Sequence, residues 1–122
     1  MKKKVFSCVL IGLGGIGLNY DLHKDQKKYI QTHARAFSLN SGFNLQAGVD
    51  LNNQACNTFT KTYNIESFNK IEDALLKIKP DLIILAVPTS IQLESIQKIV
   101  NCFSPRAILC EKPMGDNLEQ CI

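Results

Sequence analysis

No apolar run in the sequence approaches the roughly twenty residues that a membrane-spanning helix needs. There is no C-x-x-C pair either. Five cysteines (Cys8, Cys56, Cys102, Cys110 and Cys121) make an odd and scattered set, and His23 and His33 have no partner at metal-ligand spacing. This usage suits a reducing cytoplasm and argues against both a disulfide framework and a bound metal. Charge of one sign is scarce: 14 Lys and Arg against 11 Asp and Glu leave +3, and three of the lysines are Lys2, Lys3 and Lys4 at the terminus. So local an excess reads as a solvated tail, not as a nucleic-acid surface. The same lysines, followed by apolar residues up to Leu18, imitate a secretory signal. Four glycines interrupt that stretch, however, and no small-x-small cleavage site follows it. With no repeat, low-complexity tract or linker, residues 1–122 are expected to form one domain, soluble and without membrane or nucleic-acid partners.

What the chain does have is an apolar strand that breaks into glycine. Val9-Leu10-Ile11 runs into Gly12-Leu13-Gly14-Gly15-Ile16-Gly17, and Gly12, Gly14 and Gly17 have the G-x-G-x-x-G spacing. Each glycine has its own use in a dinucleotide site. Gly12 permits the tight turn, Gly14 lets backbone approach a pyrophosphate, and Gly17 lets the helix pack against the sheet. The helix start then offers N–H groups and dipole to the phosphates.

Strand and helix alternate along the rest of the chain. A first strand over 5–11 precedes a short helical start at 15–18. Residues 19–28 (NYDLHKDQKK) are polar and lack helical period, which predicts a surface loop near the cofactor mouth. Helical spacing resumes with Ile30, His33-Ala34 and Phe37 and should end with Gly42 as C-cap. A second strand over 43–49 leads to a helix capped by Asn52, with Ala55, Phe59 and Tyr63 inward. Residues 65–68 predict a short edge strand. Asn69 with Glu72 resembles a capping box, for a helix with Ile71, Ala74, Leu75 and Ile78 inward and Pro80 at its close. Residues 81–87 (DLIILAV) are apolar without alternation, as in a parallel strand buried on both faces. Thr89 or Ser90 should cap a helix with Leu93, Ile96, Ile99, Val100 and Phe103 inward; a fifth strand over 106–111 and a last helix near Asn117 complete the chain. The pattern predicts an α/β fold of the Rossmann type, a doubly wound parallel sheet in the order 3-2-1-4-5. No residues remain for a sixth strand, which would leave 106–111 as an apolar edge open to self-association.

Asp50 stands at the end of the second strand, where a carboxylate accepts hydrogen bonds from the adenosine ribose. It lies 33 residues beyond Gly17, against a usual spacing of about 20. The 19–28 loop explains the excess, because a longer surface loop adds only about 0.6 kcal/mol per doubling. Leu51 and Asn52 follow, with no arginine to hold a 2′-phosphate, so NAD is expected over NADP. After the fifth strand come Glu111-Lys112-Pro113, at the sheet edge where open α/β folds bind ligands. Pro113 holds Lys112 extended, where it either polarises a substrate oxygen or is an exposed lysine after a strand.

Gly12-Leu13-Gly14-Gly15-Ile16-Gly17, Asp50, Ala86-Val87-Pro88-Thr89 and Cys110-Glu111-Lys112-Pro113 together resemble the glucose–fructose oxidoreductase/inositol dehydrogenase (Gfo/Idh/MocA) family, over its N-terminal nucleotide-binding domain. The resemblance implies that Lys112 is the catalytic-site lysine, that Glu111 lies near the nicotinamide ribose, and that Leu51 and the Val87-Pro88-Thr89 turn lie along NAD. Thr89 and Gln92 depart from the asparagine and histidine that the family often carries there. The implied activity is hydride transfer between a nicotinamide cofactor and a sugar, polyol or sugar derivative; a homo-oligomer is expected from the open edge at 106–111 or the helix faces left uncovered beside it. The family's C-terminal substrate domain is absent from these residues, so a truncated enzyme is expected. A non-catalytic dinucleotide-binding module is the alternative. An S-adenosylmethionine-dependent methyltransferase also uses a glycine-rich first turn, but Glu111-Lys112-Pro113 argues against it.

Overall fold

Apolar residues on successive positions of a strand need cover on both faces, and helices on both sides supply it. The computed structural model describes residues 4–15, 17–18, 22–23 and 32–110. In chain order the elements are β1 (Phe6–Ile11), α1 (His33–Leu39), β2 (Phe43–Val49), α2 (Asn53–Tyr63), β3 (Glu66–Phe68), α3 (Ile71–Ile78), β4 (Leu82–Leu85), α4 (Thr89–Cys102) and β5 (Ala107–Cys110). The five strands form one sheet in the order β3-β2-β1-β4-β5, and every pairing is parallel. Between β1 and β2 the register slips, pairing Cys8 with Leu45 and Val9 with Ala47, so Gln46 is the extra residue of a bulge.

Alternation along β1 and β4 divides the core. Cys8, Leu10 and Ile84 face α1 and α2, where they meet Leu45, Cys56 and Phe59. Val9, Ile11, Ile83 and Leu85 face α3 and α4, where they meet Ala74, Leu75 and Ile99. Gly48 of β2 lies under Phe59: a Cβ there would come within 2.7 Å of the ring. At the amino ends of the strands, Asp81 ties β1 to β4, accepting from the Ser7 N–H at 3.1 Å and the Ser7 hydroxyl at 3.3 Å.

Several local expectations are corrected. Gly42 is not the C-cap of α1. The helix ends on Asn40 in an extended conformation (φ −83°), whose Oδ1 accepts from the Gly42 N–H at 2.8 Å, so no left-handed residue is needed. Asn52 does cap α2, accepting from the Ala55 N–H at 3.1 Å, and Asn64 closes that helix in the left-handed region (φ 56°). Asn69 does not cap α3: the N-cap is Lys70, without a side-chain bond, and the Asn69 amide is used elsewhere. Left-handed Lys79 (φ 51°) ends α3 just before Pro80. Neither Thr89 nor Ser90 caps α4: the N-cap is Pro88, without a side-chain bond. Leu93 (38%) and Val100 (57%) are exposed, while Gln92, Ser95 and Ile99 are buried. The α4 sequence is apolar on more than one side, and Ser95 can turn inward because its hydroxyl donates to the Ile91 carbonyl at 2.9 Å.

Candidate functional site

The carboxyl ends of three neighbouring strands converge. The Gly12 N–H, after β1, donates to the Val49 carbonyl of β2 at 2.8 Å, and the Ala86 N–H, after β4, donates to the Ile11 carbonyl at 2.8 Å. Gly12 has φ 102°, and a Cβ on it would lie 2.4 Å from the Ala86 carbonyl oxygen, so both conformation and contact demand glycine. Gly17 serves packing: a Cβ there would lie 2.1 Å from the Gly12 carbonyl oxygen. Gly14 differs from both. Among the described residues nothing lies within 4 Å of where its Cβ would stand, and its φ is outside the left-handed region. Among the described residues, packing does not require this glycine.

Asp50 follows β2 and is held by the surrounding backbone. Its Oδ2 accepts from the Leu13 N–H at 3.0 Å and its Oδ1 from the Asn52 N–H at 2.9 Å. The first bond links the acidic strand end to the glycine loop. Each carboxylate oxygen keeps a second lone pair for a further donor, such as a ribose hydroxyl.

Between these loops and the start of α4 lies a cavity of about 450 Å³, within the size range of small-molecule sites. Of the residues expected at the site, Gly12, Gly14, Asp50, Leu51, Ala86, Val87 and Pro88 line it. Leu13 is buried in the core and contributes only its N–H, while Gly15 and Thr89 stand beside the lining. Ile16, Glu111, Lys112, the helix near Asn117 and most of the 19–28 loop lie outside the described residues. The wall also includes residues that sequence inspection passed over: Asn69, Lys70, Ile71 and Glu72 where β3 enters α3, and Ile91, Glu94, Ser95 and Lys98 along α4. The signal for the first group was available, since they follow a strand's carboxyl end. That for the second was not, because only the packing orients α4.

The helix after the glycine turn explains the long interval to Asp50. The Leu18 N–H donates to the Gly14 carbonyl at 2.8 Å, one α-helical turn. The Gly17 carbonyl should then receive the N–H of the residue four further on; it receives that of Ala34 instead, at 2.9 Å. Ala34 is seventeen residues on, so the helix resumes with thirteen residues, 19–31, added between Leu18 and Thr32. Taken out of the count, they reduce the 33-residue interval to the usual twenty or so. The extra segment is therefore longer than the 19–28 expected. Thr32 restarts the helix, its hydroxyl accepting from the Arg35 N–H at 3.3 Å. Within the segment, Leu22 is half-buried against the α1 side of the core and His23 is exposed.

A family model described as the Gfo/Idh/MocA oxidoreductase family, NAD-binding Rossmann fold, matches residues 6–122. The chain belongs to this family. No curated protein matches it. Among solved structures it is similar to apo scyllo-inositol dehydrogenase from Lactobacillus casei, with a TM-score of 0.74 and 20% identity over 98% of this chain and 32% of that one. The same enzyme with bound NAD(H) and scyllo-inositol gives a TM-score of 0.72 and 19% identity over 96% of this chain and 31% of that one. The WlbA dehydrogenase from Chromobacterium violaceum, in complex with NADH and UDP-GlcNAcA, gives 0.72 and 18% over 98% of this chain and 30% of that one. The chain thus spans about a third of the length of these relatives. It carries the family's nucleotide-binding Rossmann fold, and among the described residues no helix is long and apolar enough to cross a membrane.

Proposed function

We propose that the chain is the NAD-binding domain, residues 1–122, of an oxidoreductase that transfers hydride between the nicotinamide and a sugar, polyol or sugar derivative. Gly14 is the observation that carries the cofactor site: a glycine that no packing among the described residues requires, beside a cavity that ends on a carboxylate. The loop at Gly14–Gly17 takes the pyrophosphate on the N–H groups of the helix start. Asp50 takes the adenosine ribose hydroxyls on its remaining lone pairs. Leu51 and the Ala86-Val87-Pro88-Thr89 turn lie along the cofactor. NAD, when bound, supplies the hydride acceptor.

Asp50 repels a 2′-phosphate, and no arginine follows it, so NAD is preferred over NADP. By resemblance to the family, Glu111 stands near the nicotinamide ribose and Lys112 polarises the substrate oxygen. Sugar-like substrates fit with the relatives that hold scyllo-inositol and UDP-GlcNAcA. Productive geometry can lower a barrier by roughly 7–11 kcal/mol, and that positioning belongs to a second domain like the rest of the relatives' length. This chain alone then binds NAD without appreciable turnover. The protein works in the cytoplasm as a homo-oligomer, for which the apolar edge of β5, with Leu109 42% exposed, is the candidate contact.

The test is a titration with NAD and NADP of the chain and of Asp50→Ala. The unmutated chain should prefer NAD, and the variant should bind it more weakly with a narrower gap to NADP. Equal or tighter NADP binding by the unmutated chain would refute the cofactor assignment. In the protein that includes a second domain, Lys112→Ala should abolish most turnover and leave NAD affinity nearly unchanged.

A further inference from the structure

The Asp50 peptide is gripped as firmly as its carboxylate. Its N–H donates to the Phe68 carbonyl at 3.0 Å. Its carbonyl oxygen accepts from the Asn69 side-chain Nδ2 at 3.1 Å and from the Cys56 thiol at 3.2 Å. That thiol is buried and is shared with the Phe68 carbonyl at 3.4 Å. Thiols are weak donors, so the Asn69 amide is the stronger of the two partners of the Asp50 carbonyl. Its orientation is decided by chemistry: turned over, it would set its own carbonyl against that of Asp50. Asn69 stands at the end of β3, and its amide ties that end to the end of β2.

We propose that Asn69 is a positioning residue for Asp50: it sets how firmly the adenosine ribose is held and how strongly a 2′-phosphate is rejected. Asp50 follows the last residue of β2, and Leu51 beyond it is 84% exposed, so the chain past Asp50 has little packing of its own. The amide of Asn69 anchors the Asp50 backbone, while the Leu13 and Asn52 N–H groups hold the carboxylate. With the backbone anchored, the carboxylate keeps one orientation, and its remaining lone pairs are already aimed when a nucleotide arrives. A pre-oriented acceptor binds hydroxyls at lower entropic loss, and it cannot swing away from an incoming phosphate. This rests on the assignment of the cavity to NAD.

The experiment is a double-mutant cycle on the full chain, with Kd for NAD and for NADP measured in each member. Asn69→Ala removes the donor. Asn69→Leu removes it while keeping a side chain of similar size in the cavity wall, which separates hydrogen bonding from packing. Thermal melts establish that both are folded, as expected for an exposed side chain. Both variants should weaken NAD by about two- to tenfold, the net value of one hydrogen bond, and should narrow the preference for NAD over NADP. In an Asp50→Ala background the same substitutions should change NAD affinity no further, because the group they position is gone. Additive losses would show that Asn69 touches the nucleotide directly and overturn the proposal; so would an unchanged NAD to NADP ratio. If Asp50→Ala alone left NAD affinity intact, the assignment of the cavity to NAD would fall, and the positioning role with it.

Discussion

Alanine at Gly14 and alanine at Gly17 should do opposite things, though the two glycines share one turn. At Gly17 the new methyl would lie 2.1 Å from the Gly12 carbonyl oxygen and 3.1 Å from its carbon. The obstacle is backbone at the end of the central strand and cannot rotate aside. Overpacking of this kind costs about 1–3 kcal/mol where side chains can yield; here about 3 kcal/mol or more is expected. For a domain of this size that lowers Tm by roughly 10 °C or more. At Gly14 the methyl meets nothing within 4 Å among the described residues, and the backbone conformation is open to L-residues. Stability should hold or rise by about 0.4–1 kcal/mol through the lost freedom of the unfolded chain, a rise in Tm of up to about 4 °C. The methyl would instead stand between loop and pyrophosphate. Losing one charge-assisted hydrogen bond there removes about 1.5–3 kcal/mol, a roughly ten- to hundredfold weaker Kd. Melts are followed by far-ultraviolet circular dichroism and binding by the fluorescence of NADH, which meets no tryptophan signal because the chain has none. Unchanged NADH affinity in Gly14→Ala, or a cooperative Tm loss there as large as in Gly17→Ala, would refute the division of roles.

Two further outcomes are expected. Deleting residues 19–31, so that Leu18 runs directly into Thr32, should give a continuous helix in which Ala34 becomes the fourth residue after Gly17. NAD affinity should stay within about threefold and stability within about 2 kcal/mol, the loss of half-buried Leu22 included; loss of NADH binding would show that the segment belongs to the cofactor site. Burial pushes the Cys8 thiol from 9.0 up to about 12. The folded chain therefore resists forming the thiolate that the unfolded chain forms freely. Stability from this source is full below pH 9 and is lost as pH rises through the window toward 12, at no more than about 1.4 kcal/mol per pH unit. The urea midpoint of Cys8→Ala should consequently fall less steeply above pH 9 than that of the unmutated chain.

Much of this protein is legible without coordinates. The order of elements follows from where apolar runs stop. The sheet order follows because parallel strands need right-handed crossovers, which leaves few arrangements for a glycine-turn first strand. Asn52 as a cap could be read off because it acts within four residues of chain. Local chemistry failed where a side chain had a distant partner: Asn69 looks like a helix cap from its neighbours, yet its amide goes to Asp50, nineteen residues away. It failed again on α4, whose sequence offers several apolar stripes; packing into the core shared with α3 and the sheet chose the one with Ile99 and left Leu93 and Val100 outside. The length of the inserted segment was likewise beyond sequence, since polar composition marks only its first ten residues. The bond from Ala34 to Gly17 and the Thr32 cap show where the helix resumes. Periodicity and turn chemistry act over a few residues and are written in the chain, whereas the choice among competing faces and partners is made by long-range contact.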